Sequence, residues 1–294
     1  MMSASFNKAA GQPGDLPIVT YSAVNMRVTI GSSLAQAVTE IWATREVIWR
    51  LFVRDFTQQF RQKLLGYLWM VIGPMVNAAG FVFLYVAGIL KPGDMVIPYP
   101  VFVLFGTYLW GMMTGVLTVV SGSLHAQGEL ITRTNIPKIA LALTGMGNFA
   151  FALVTNLVVL LGIMIYIGFP PSWLILLFPL LMVPLMALGI GLGLIFAVIG
   201  VMARDMTTLA TAAFNLLMLV TPVVYVGKVD SPALQRMMEY NPLTYLIDVP
   251  RTLVMTGVLP HPLAYAAASA LAIVMLVLGI YAFYLIQDKV AERL

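Results

Sequence analysis

The chain has 294 residues, of which 61% are hydrophobic and 10% charged, with a formal net charge of +4 and a strongly positive mean hydropathy. Soluble domains carry about 25% charged residues, so a soluble globular protein is excluded and an integral membrane protein is expected. With no cysteine, a disulfide frame, a thiol nucleophile and a cysteine-bound metal are excluded as well.

Residues 1–33 contain no continuous apolar core of the roughly 7–15 residues that a signal peptide needs. They read as a cytosolic tail. Residues 34–63 follow with "LAQAVTEIWATREVIWRLFVRDFTQQF" at their centre, in which Leu34, Val38, Ile41, Ile48, Phe52, Phe56 and Phe60 recur at helical spacing. On a helical wheel Glu46, Arg50, Arg54 and Arg61 share an arc of about 80°. That pattern predicts an amphipathic helix with too many charges to cross a bilayer. It would lie in the cytosolic interface with Trp42 and Trp49 near the headgroups, either as a plain surface anchor or as a surface that also docks a cytosolic partner.

Residues 64–294 form the transmembrane part. A membrane-crossing helix needs about 20 apolar residues, and six runs qualify: 65–90, 98–120, 139–168, 173–201, 206–227 and 262–286. The fold class expected is therefore all-α, with six spans. Such an arrangement puts twelve Lys and Arg on the side of both termini and four (Lys91, Lys228, Arg236, Arg251) on the other. Positive charge collects on the cytosolic side, so both termini are expected there, and the net charge is topological rather than a nucleic-acid footprint.

In the second run Tyr108 and Trp110 lie near mid-depth, where an aromatic belt has no place. They are either core packing or flat surfaces for sugar rings. Between runs two and three, "SLHAQGELITRTNIPKIALAL" is the largest mid-chain polar interruption on the cytosolic side. Glu129, Arg133 and Lys138 recur along it, with Pro137 at the re-entry. A solvated connector and a partner contact are both open readings. Pro222 is expected to kink the fifth run.

Between runs five and six, Asp230 to Pro260 is too charged and proline-rich to span, yet too apolar for an external loop. Two short helices broken at Asn241-Pro242 and dipping into the outer leaflet reconcile the two. Irregular backbone at that depth needs shelter in protein or a water-filled cavity, so a cavity near the outer face is expected.

Several functions lack their residues. No GxxxxGK[ST] phosphate loop occurs, and no acid stands mid-span for ion-coupled transport. His125 and His261 fall on opposite faces, so no metal site is expected, and no Ser, His and acid group at one depth for catalysis.

Eight fragments in order carry a resemblance: "EIWATREVIWRLFVRDF"; "RQKLLGYLW" with Pro74 soon after; "PYPVFVLFG"; "ELITRTNIPK"; "PPSW"; "ARDM"; "TPVVY"; and "YNPLTYLIDVPR". From about Leu34 onward the chain resembles the membrane subunit of ABC exporters that move lipid-linked polysaccharides such as O-antigen, capsule and teichoic acid. The resemblance implies a homodimer in the bacterial inner membrane, paired with two copies of a separate ATPase subunit. That subunit would hold ATP and Mg, leaving this chain without cofactor or catalytic residues. It assigns Glu129, Arg133 and Lys138 to ATPase coupling, and Asn241 and Pro242 to an outer gate. Arg50, Arg54, Arg61 and Lys63 would belong to an interface helix that also meets the lipid carrier's phosphates, and Tyr108 and Trp110 are channel-lining candidates. Ile136 departs from the family, standing where relatives often carry an aromatic. Rival readings are an ABC exporter of a drug or small lipid, a passive channel, or a membrane enzyme.

Overall fold

The computed structural model describes residues 29–61, 68–89, 97–128, 130, 134, 136–203, 205–225 and 231–291. All regular structure among them is helical. The expected interfacial helix is two helices, α1 (Ile30–Ala43) and α2 (Arg45–Arg61). α1 begins a turn ahead of Leu34 because Thr29 and Ser32 form a reciprocal capping box, which satisfies N–H groups that a bare helix start leaves open. The break follows from Thr44, whose hydroxyl donates to Glu40 O at 2.6 Å and so competes with the next helical turn.

The six apolar runs all contain helix, with shifted ends. α3 (Leu68–Val86) falls in the first. α4 (Tyr99–Ala126) runs past residue 120 because the Ser121 and Ser123 hydroxyls donate to Thr118 O and Val120 O of the same helix. Their polarity is satisfied without water. The third run is broken into α5 (Lys138–Ala142) and α6 (Met146–Ile167) by a turn at residues 143–145. A 3₁₀ turn, Trp173–Leu177, leads into α7 (Phe178–Met202). α8 (Asp205–Val220) lies in the fifth run, and α11 (Pro262–Ala291) in the sixth. Four segments are long and apolar enough to cross a membrane by length and composition: Tyr99–Ala126, Lys138–Ile167, Trp173–Val201 and Pro262–Gln287.

Pro222 does not kink a continuing helix, as the sequence suggested; α8 stops at Val220, and residues 221–225 are irregular. The charged segment after it does form two short helices, α9 (Pro232–Tyr240) and α10 (Pro242–Thr256), broken at Asn241. Pro242 supplies the fixed φ of a first helical position, while the Asn241 side-chain oxygen accepts the Leu243 N–H at 3.0 Å.

α7 is the hub, packed against α11 on one side and α4 on the other. Its "GIGLG" stretch explains how one helix serves both. Gly189 and Gly193, four apart, face α4, where a Cβ on Gly193 would lie 2.7 Å from Val120 Cβ. Gly191 points the other way, where a Cβ would lie 2.5 Å from Met275 O of α11. The small-residue pair is thus used inside the chain.

Candidate functional site

The α9–α10 pair is built into the protein. Leu243, Leu246, Ile247, Val254 and Met255 of α10 are buried, and the stripe they form also carries Arg251, 1% exposed. Its guanidinium donates to Val223 O (3.0 Å), Pro222 O (3.0 Å) and Asp248 Oδ1 (2.7 Å). It also lies 3.7 Å from the centroid of the Phe102 ring on α4. Arg251 therefore supplies donors to the carbonyls that the unwinding of α8 leaves without helical partners, and this is why α8 can end in a buried place. The approach requires Gly106, since a Cβ there would come 2.1 Å from Val223 O.

Asn241 and Pro242 stand at the same junction. Asn241 Nδ2 donates to the Thr221 hydroxyl at 2.9 Å, so the break between α9 and α10 is tied to the break after α8. Arg251, one of the four charges expected on the outer side, is instead buried in this role. The signal was present: Leu243, Ile247 and Arg251 recur every four residues, which puts Arg251 on the apolar face of α10.

Tyr108 and Trp110 do not share an environment. Two residues apart on a helix, they point to opposite sides. Tyr108 lines a cavity of about 240 Å³ between α3, α4 and α6, with Gly73, Gly111, Phe149 and Asn156 on its wall. Its hydroxyl donates to Leu153 O at 3.3 Å. Trp110 is 5% exposed in the core.

At the other end of the molecule, α1 and α2 grip two helices. The Tyr284 hydroxyl of α11 donates to Glu40 Oε2 at 2.8 Å. Phe52 of α2 fills the space over Gly147, and Phe56 meets Phe151 edge-on with centroids 4.8 Å apart. Part of the apolar face expected to lie in acyl chains therefore packs on α6. Trp42 and Trp49 stay exposed.

Arg50 is exposed and lines a shallow groove with Arg45, Glu46 and Trp49. Arg54 pairs with Asp55 at 2.8 Å near the surface, where such a pair contributes little. Lys138 turns inward, its Nζ donating to Gln287 O near the C-terminal end of α11, where a cation is favoured. Glu129, Arg133 and Lys63 lie outside the described residues, as does the side chain of Arg61. No group of three or more metal-type side chains occurs among the described residues.

The family model described as ABC-2 type transporter matches residues 46–255. The chain is 24% identical over 253 residues to an O-antigen export system permease protein RfbA of Klebsiella pneumoniae, covering 82% of this chain and 92% of that protein. It is 24% identical over 268 residues to a protein of the same name from Myxococcus xanthus, covering 89% of this chain and all of that one.

Proposed function

Because this chain belongs to the ABC-2 type transporter family, we propose that it is the channel-forming membrane subunit of an ATP-driven exporter. Its cargo would be a lipid-linked polysaccharide of the O-antigen kind, moved from the cytosol across the bacterial inner membrane. The observation that carries this reading is the similarity to proteins named as O-antigen export permeases along 82% and 89% of the chain. Two copies would form the channel, with two ATPase subunits beneath them. α3 and α8 would join the four apolar segments to make six spans, with α9–α10 re-entering from the outer face and both termini in the cytosol. A label placed at Tyr240, which is 87% exposed, should react from outside the cell; reaction only after permeabilisation would overturn that topology.

A polymer many sugars long does not fit in one alternating-access cavity, so a continuous channel fed stepwise is the simpler physical solution. Closure of the ATPase subunits would push on α1 and α2. These are joined to α11 through Glu40 and Tyr284 and to α6 through Phe52 and Phe56, and α11 crosses α7 with backbones in contact. Movement at the inner end would thus reach the α9–α10 pair through packed helices. Glu129 and Arg133 are the proposed coupling charges, together with Lys138 as the residue that holds their loop against α11. Arg50, Arg54, Arg61 and Lys63 would meet the carrier's phosphates.

Two outcomes check the reading. Losing one member of an interfacial charge pair costs about 2 kcal/mol or more, so Arg133→Glu should sharply reduce recovery of the ATPase subunit in a pull-down, whereas Arg236→Glu should not. Equal recovery would leave the loop a solvated connector. Tyr108→Ala should reduce polymer export about fivefold, the equivalent of roughly 1 kcal/mol of ring contact, with the amount of inserted protein unchanged. Full export would return Tyr108 to ordinary packing.

A further inference from the structure

Between the end of α8, helices α9 and α10, and the residue before α11 lies a recess of about 300 Å³. Gln235, Glu239, Thr244, Tyr245, Asp248 and His261 line it. We propose that it is a subsite for one neutral sugar unit of the polymer, placed where the chain emerges; the proposal rests on the polysaccharide-export reading.

Charge narrows the ligand. The charged groups lining the recess, Glu239 and Asp248, are carboxylates, and the guanidinium of Arg251, 1% exposed, is turned away from solvent with both terminal nitrogens donating to Pro222 O, Val223 O and Asp248. A phosphate or other anion would meet repulsion there. A metal ion is disfavoured too, because Asp248 is already paired and Glu239, Asp248 and His261, although all line the recess, are not grouped so as to hold a metal ion. What remains is a neutral, hydroxyl-rich ligand.

The polar groups suit one. The Gln235 amide donates to Glu239 Oε1 at 3.1 Å, which holds two planar groups side by side for adjacent hydroxyls. Thr244 Oγ1 is buried without a hydrogen-bond partner, and buried polar atoms are ordinarily paired, so a ligand hydroxyl would complete it. Tyr245 is fixed by its hydroxyl donating to Glu239 O at 2.8 Å, with the His261 ring edge-on at 6.0 Å. It offers a flat apolar surface for the C–H face of a sugar. His261 has φ 45°, the one non-glycine positive φ among the described residues. Such backbone strain gathers at ligand sites. The volume lies at the small end of ligand pockets, which begin near 300 Å³, matching a single ring rather than a longer piece.

The test is saturation-transfer NMR on the full chain in lipid nanodiscs, with the methyl glycosides of glucose, galactose, mannose and N-acetylglucosamine as probes. Transfer to at least one is expected. It should fall about tenfold in the Thr244→Val, Gln235→Leu double variant, as for the loss of two hydrogen bonds to neutral hydroxyls, and also in Tyr245→Leu, with circular dichroism unchanged. No transfer to any probe, or equal transfer in the variants, would overturn the inference. So would calcium binding in a titration with calcium chloride alone that the variants abolish while sugar transfer persists. If deleting the gene leaves surface polysaccharide intact, the export reading fails whatever the NMR shows. If export depends on the chain and the NMR is insensitive to the variants, the subsite alone fails.

Discussion

Arg251→Met is expected to lower the thermal midpoint of the chain by roughly 5–8 °C. Methionine fills a similar volume but leaves Pro222 O and Val223 O without their donors in a buried place, at about 1–3 kcal/mol each. The contact with Phe102, 3.7 Å from guanidinium to ring centroid, adds about 1–2 kcal/mol. Relief of the buried charge's own desolvation offsets part of this, leaving a net cost of about 3–5 kcal/mol. Asp248→Asn should cost less than half as much, because an amide oxygen still accepts the bond and the side chain is 33% exposed. Hydrogen exchange of residues 242–256 should quicken far more in Arg251→Met than in Asp248→Asn. Unchanged midpoint and exchange in the methionine variant would mean that Arg251 does not hold α10 to the end of α8.

Gly279→Leu is expected to prevent the chain from folding. A Cβ at residue 279 would lie 2.3 Å from Gly191 O and 2.8 Å from Gly191 Cα, so backbone meets backbone and no side chain can turn aside. Overpacking of a filled core costs about 1–3 kcal/mol, or more where nothing can move. Here α7 and α11 would have to part along the contact that organises the other helices. Gly162→Ala in α6 is the control, since a Cβ there meets nothing within 4 Å and alanine favours the helix by about 1 kcal/mol. Fluorescence-detected size exclusion should show the Gly279 variant aggregated and the Gly162 variant monodisperse. A monodisperse Gly279→Leu protein would mean that the two helices are not in backbone contact.

Much of the helix layout was legible because lipid imposes length and apolarity on any segment that crosses it, and these survive in composition alone. The break at Asn241-Pro242 was legible for a different reason, since proline removes a donor and fixes φ. Helix ends were harder. Ser121 and Ser123 look like a boundary, yet their hydroxyls bond back into α4; Thr44 looks like helix interior, yet its hydroxyl competes with the turn. Periodicity records which residue types occur but not where a hydroxyl sends its hydrogen bond. Arg251 was hidden by a similar limit. A charge counted toward topology was buried because acceptors distant in sequence, Pro222 and Val223, had lost their helical partners. Tyr108 and Trp110 were paired by proximity in sequence, although a helix turns them about 200° apart. Lys138 was legible as a loop cation, but its bond to Gln287 O near the end of α11 joins residues 149 apart in sequence and leaves no periodic trace.

The central claim is that this chain conducts a lipid-linked polysaccharide outward when an ATPase subunit drives it. The most direct measurement reconstitutes the full chain with its nucleotide-binding subunit in liposomes, adds lipid-linked polymer on the ATPase side, and follows lectin-accessible polymer on the other side. The account predicts transfer that requires ATP hydrolysis and both subunits, and that slows with Tyr108→Ala. Polymer that stays on the ATPase side while the assembled complex hydrolyses ATP would contradict it.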